Sequence, residues 1–146
     1  MKTLSRIFAA AVAACVLALP SATPLAAQDF KVIVNSANPI GDISSAALSK
    51  IFLKESAAFP GGGPATPVDQ GKTSAVRAAF SKRIIGRPAS AVDTYWQQQI
   101  FSGKDVPPAA KASDDDVIAF VKATPGAVGY VSAGATTAGV KVVDVK

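Results

Sequence analysis

Apolar residues along this chain recur with two different periods, and the switches between them predict alternating strands and helices. Phe30 to Asn35 (FKVIVN) is a β-branched run of strand length, ended by Asn38-Pro39 and Gly41. The spacing then becomes helical. Leu48, Ile51 and Phe52 form an i, i+3, i+4 stripe, Ser44 is a good N-cap, and Ile43 and Leu48 stand at the spacing of a hydrophobic staple. A second strand is expected over Thr66–Asp69, followed by a helix from about Ser74 to Ile85 with Val76, Phe80 and Ile84 on its buried face. Gly86-Arg87-Pro88 stops that helix. Ser90 is expected to cap a third helix, with Val92, Tyr95, Trp96 and Ile100 inward and its end at Gly103. Ser113 caps a fourth, bearing Val117, Phe120 and Val121 and closed by Thr124-Pro125-Gly126. Ala127–Ser132 and Val140–Val145 read as two closing strands.

The resulting order, β-α-β-α-α-α-β-β, needs crossover connections. It predicts an α/β fold: a mixed sheet of about four strands covered by helices, amounting to one lobe. Pro60-Gly61-Gly62-Gly63-Pro64 is an exposed turn or short linker. The residues before it are too few for a core of their own, so residues 28–146 are expected to form one domain.

Ahead of that domain the pattern is different. Lys2 and Arg6 precede an apolar run from Ile7 to Leu19, Pro20 breaks it, and Leu25-Ala26-Ala27 offers a small-residue cleavage site. Residues 1–27 are therefore expected to be a signal peptide and the product periplasmic. Cys15, the single cysteine, lies inside that segment. Val12-Ala13-Ala14-Cys15 also resembles a lipobox, although the apolar run continues past it. Cleavage near Ala27 leaves a chain without thiol, disulfide or thiolate metal site.

Fifteen Lys and Arg oppose ten acids, and loss of Lys2 and Arg6 with the leader reduces the net charge from +5 to +3. That balance suits a small anion better than a nucleic acid, because no cationic cluster with interleaved aromatics occurs. The chain contains no histidine. Ser-His and Cys-His nucleophile pairs, imidazole bases and His-ligated zinc are thereby excluded. The acids are scattered except for Asp114-Asp115-Asp116, which follow Ser113 and suit the first turn of a helix. No enzyme, metal or cofactor is expected.

The segment with the most chemistry is Thr66 to Phe80 (TPVDQGKTSAVRAAF). It places a strand, a glycine turn and a helix start in succession, with Lys72, Thr73, Ser74 and Arg77 gathered there. Gly71-Lys72-Thr73 resembles the end of a P-loop, but Thr66 stands where that motif requires glycine. What remains is a generic anion cradle at a helix start, made of Gly71, Lys72, Thr73, Ser74 and Arg77. A structural reading competes with it: Arg77 pairs with Asp69 or points into water, and Thr73 merely caps the helix. Tyr95 and Trp96 could stack on a ligand, but at this spacing they also fit a core, as Tyr130 does.

These residues resemble the substrate-binding proteins of bacterial phosphate-type ABC importers, in the periplasmic-binding-protein superfamily. Three segments carry the resemblance: Val32–Asn35 with Ile43 to Leu53; Asp69 to Phe80; and Thr124 to Val131 (TPGAVGYV). The resemblance implies a lobe of that fold, an oxyanion ligand, an ABC permease or membrane sensor as partner, and no covalent chemistry. Members that capture phosphate have two lobes with the ligand between them, whereas this chain has residues for one. Ser74 and Arg77 match the family's anion loop, while Ala75 and Val76 stand where glycine and threonine are usual. Two functions follow as expectations: an exported binding protein for phosphate or a similar oxyanion, or an interaction module that keeps the fold without capturing a solute. A homodimer would give either one a second wall.

Overall fold

The structure, a computed structural model, describes residues 30–146. The expected signal peptide and the lipobox around Cys15 lie outside the described residues. In chain order the elements are β1 (Phe30–Asn35), β2 (Asp42–Ile43), α1 (Ser45–Phe52), β3 (Thr66–Gln70), α2 (Ala75–Phe80), α3 (Ala89–Phe101), β4 (Ala109–Lys111), α4 (Asp114–Ala123), β5 (Ala127–Ser132) and β6 (Val140–Val145). A wider π-turn over Ser81–Ile85 prolongs α2.

The strands form one mixed sheet in the order β2-β6-β1-β5-β3-β4. Strand β1 runs antiparallel to β5 and β6, while β3 runs parallel to both β4 and β5. The α/β class is as expected, but the sheet has six strands rather than about four. The two extra ones are short edge pairings, Asp42–Ile43 on β6 and Ala109–Lys111 on β3. Two or three residues carry too little periodicity to read as strands, and it is the neighbouring strand that makes them so.

Period-two alternation divides the core. Phe30, Val32 and Val34 of β1 join Val128 and Tyr130 of β5 beneath α1 and α2. Ile33 and Val131 point the other way and pack with Val117, Ile118 and Val121 of α4. Helices on both faces explain why β1 reads as a continuous apolar run. Leu48, Ile51 and Phe52 are the buried stripe of α1, and the Ser44 hydroxyl accepts from the Ala47 amide at 3.2 Å. The Ser113 hydroxyl likewise caps α4 through the Asp116 amide at 3.2 Å.

Three expectations are corrected. Helix α3 starts at Ala89 after Pro88 rather than at a Ser90 cap, because Pro88 supplies an extended entry and needs no amide partner. Ile100 is 53% exposed rather than inward, because the buried face of α3 is made by Val92 and Trp96 and stops there. Thr73 does not open α2; Ser74 does.

Two glycines mark close approaches. A Cβ on Gly126, at φ +81°, would sit 2.6 Å from the Pro64 carbonyl oxygen. One on Gly129 would meet Val68 Cγ1 at 2.7 Å and Val117 Cγ1 at 2.8 Å, where α4 lies flat on the sheet. Gly129→Ala is expected to overpack that contact and cost about 1–3 kcal/mol. Thermal unfolding would show this as a midpoint drop of roughly 4–8 °C per kcal/mol. An unchanged midpoint would mean that α4 shifts freely on the sheet.

Candidate functional site

The polar corner of the lobe is built where β3 runs into α2. Val68 and Gln70 share one parity on β3, so Gln70 follows a core valine into the interior and is 5% exposed. Its side chain is fully used. Nε2 donates to Asp114 Oδ1 at 2.8 Å and to the Tyr130 carbonyl at 3.0 Å, and Oε1 accepts from the Ser74 hydroxyl at 2.7 Å. The Ser74 oxygen also accepts from the Arg77 amide at 3.2 Å, which makes Ser74 the N-cap of α2. The Gly71 amide donates to the Lys111 carbonyl of β4 at 3.0 Å.

Arg77 is the centre of the corner. It is 4% exposed and forms two ion pairs: Nε to Asp69 Oδ2 at 3.1 Å and Nη2 to Asp93 Oδ1 at 2.8 Å. Its Nη1 is buried and has no hydrogen-bond partner among the described residues. Burial opposes the guanidinium charge, but the Asp93 hydrogen bond and the Asp69 carboxylate outweigh it and hold the pKa above its ordinary value. Tyr130 donates its hydroxyl to Asp69 Oδ1. Burial, reinforced by the Asp69 charge, pushes the Tyr130 pKa upward, so the phenol stays a neutral donor.

A cavity of about 170 Å³ opens beside this network. Asp69, Gln70, Lys72, Arg77 and Asp93 form its polar side. Trp96, Ile100, Pro107, Pro108 and Ala110 form its apolar side. Of the five residues expected as a cradle, Lys72 and Arg77 line the cavity. Gly71 and Ser74 sit behind it, committed to Lys111 and Gln70, and Thr73 is exposed on the turn. The pairing of Arg77 with Asp69, one of the competing sequence readings, is present.

Gln70 and Asp93 were not singled out from sequence. The parity of Gln70 with Val68 was a usable signal. Asp93 had none, because only the packing of α3 brings it to Arg77 across 16 positions of sequence. Asp114, read as a helix-start acid, also accepts from the Ser132 amide at 3.2 Å and so ties α4 to β5 and β3. Among the described residues no cluster of His, Cys, Asp or Glu has the geometry to hold a metal ion, and no helix is long and apolar enough to cross a membrane.

The fold and its corner define a class: a single α/β lobe whose cavity lies where β3, one strand in from the sheet edge, meets the next helix. A family model described as a PBP superfamily domain matches residues 18–145, and the chain belongs to that family. No curated protein matches it. Solved structures share its fold, among them these two. One, from Clostridium perfringens, is described as a phosphate ABC transporter substrate-binding protein with bound phosphate; it is 21% identical with a TM-score of 0.64, over 80% of this chain and 44% of its own. The other, an ABC-type phosphate transport receptor from Vibrio cholerae, is 17% identical with a TM-score of 0.63, over 80% of this chain and 46% of its own. The chain therefore spans less than half the length of these two neighbours.

Proposed function

We propose that this chain is an exported, periplasmic one-lobe binding domain for phosphate or a similar oxyanion, associated with ABC-type phosphate transport. The observation that carries this reading is the Nη1 of Arg77, buried and lacking an acceptor among the described residues. A buried guanidinium nitrogen without a partner is costly, and an oxyanion in the adjoining cavity would satisfy it after a small side-chain shift. Lys72, on the rim, adds a second cation. Asp69 and Asp93 offset both charges, so the cavity is balanced rather than strongly cationic. A single lobe also leaves one side of the anion wet. Affinity for the lone lobe is therefore expected on the order of millimolar.

The test is an NMR titration of the processed protein with phosphate and with sulfate. Phosphate is expected to shift the Lys72–Arg77 amides in a saturable way. Arg77→Lys, which keeps the charge and loses the fork, is expected to weaken that response about tenfold or more. In a thermal-shift assay, ligand at a hundred times its dissociation constant adds about 2.7 kcal/mol. Shifts unchanged by Arg77→Lys would refute the site.

A second reading has its own support. Asp69 and Asp93 already occupy two nitrogens of Arg77, and Gln70 already holds the Ser74 hydroxyl. The corner is largely satisfied from within, as it would be in an interaction module that keeps the fold without capturing a solute. No response to any oxyanion at ~100 mM would select this reading.

A further inference from the structure

We infer that the cavity beside Arg77 takes an organic oxyanion, a small phosphonate or phosphate monoester whose apolar substituent lies on the wall made by α3 and the proline segment after it. The inference rests on the proposed function for the oxyanion head and adds the body attached to that head. Its first ground is the split lining. Arg77 and its two carboxylate partners stand on one side, while Trp96, Ile100, Pro107 and Ala110 stand on the other, and the lining is predominantly apolar. Trp96 is 4% exposed, so its ring is packed into the domain and forms a fixed surface. A bare inorganic anion needs donors around it to replace the water it loses. Across the cavity from Arg77 such an anion meets mostly carbon. An apolar lining with a few placed polar groups is instead the composition of a site for an organic molecule.

Charge is the second ground. Lys72 and Arg77 bring positive charge to the lining, and Asp69 and Asp93 cancel it. A lining that is neutral as a whole does little to offset the desolvation of a dianion. Affinity must then come from elsewhere, and burial of apolar surface is what the facing wall offers. What the head contributes is orientation. Nη1 of Arg77, buried and without a partner among the described residues, donates to a head-group oxygen and fixes which end of the ligand points inward. Size sets the upper limit. The cavity of about 170 Å³ equals the liquid volume of roughly five or six waters. A tetrahedral oxyanion alone leaves part of that space empty, and a drug-sized molecule exceeds it. A phenyl or short alkyl group on the oxyanion completes it.

The experiment titrates the purified protein with inorganic phosphate, methylphosphonate and phenylphosphonate. Calorimetry gives the affinities, and emission of Trp96, the single tryptophan, reports on the apolar wall. Each methylene fully buried is worth about fourfold in affinity, so phenylphosphonate is expected to bind about tenfold tighter than methylphosphonate or better. It should also shift the Trp96 emission. Phenyl phosphate, run alongside, distinguishes an ester from a carbon-linked head, and a preference of that size for either one over inorganic phosphate supports the inference. Ile100→Ser takes carbon from the wall at a half-exposed position, so the thermal midpoint should hold. It is expected to reduce the preference for the phenyl group about threefold or more and to leave methylphosphonate affinity unchanged. Arg77→Lys should weaken both phosphonates together. A preference that Ile100→Ser leaves intact overturns the inference. So does benzyl alcohol binding as tightly as phenylphosphonate, since the ring alone would then suffice. Inorganic phosphate bound as tightly as the aryl compounds overturns the inference and leaves the proposed function standing, whereas no binding of any of these oxyanions overturns both.

Discussion

Arg77→Met is expected to destabilise the domain by about 3–5 kcal/mol, the loss typical of breaking a buried ion pair from one side. Methionine fills much of the same space, so the loss is electrostatic rather than a cavity. Asp69 and Asp93 have side chains only 16% and 26% exposed, and both lose the cation that compensates them. Urea unfolding should show a midpoint lowered by roughly 1–3 M with an unchanged slope. The triple variant Arg77→Met, Asp69→Asn, Asp93→Asn discriminates further. With no charge left unpaired, it should recover a large part of the loss, because the penalty comes from the orphaned carboxylates and not from the absent pair. A single variant within ~1 kcal/mol of the parent would mean that water reaches this corner and the network is not a buried one.

Phe80→Ala should cost a similar amount, about 3–5 kcal/mol, through a different mechanism. Phe80 is 1% exposed and stacks on Tyr130 at 3.9 Å with a 5° interplanar angle. Phe52 and Phe30 close the cluster at 4.6 Å and 5.4 Å. Removing the ring opens a cavity among aromatic side chains that cannot collapse into it without leaving their rotamers. The effect should also reach the polar corner. Tyr130 is positioned by this stack and donates to Asp69, so its loosening should raise hydrogen exchange at the Gln70 amide, which contacts both groups. Stability lowered with Gln70 exchange unchanged would show that the aromatic cluster and the Arg77 network are independent.

Strands β1, β5 and β6 and the buried faces of α1 and α4 were legible because each element carries its own period and its own cap. Ser44 and Ser113 cap the helices they were expected to cap, within three residues of the amides they satisfy. The anion corner was legible only in part. Lys72 and Arg77 line the cavity, whereas Ser74, which with Arg77 matched the family motif, turns its hydroxyl inward to Gln70. A motif fixes which groups are near one another in sequence. It does not fix which of them a buried neighbour will claim first.

The sequence by itself determined the α/β class, the polarity and order of the principal elements, and the absence of histidine-dependent chemistry. These follow from local rules: a period, a cap, a residue type that is missing. Tertiary structure alone decided the partners of Arg77. A guanidinium taken out of water must replace its lost hydrogen bonds from whatever the fold delivers. That supply came from Asp69 on the preceding strand β3 and from Asp93 on α3, sixteen positions away, leaving one nitrogen without a partner among the described residues.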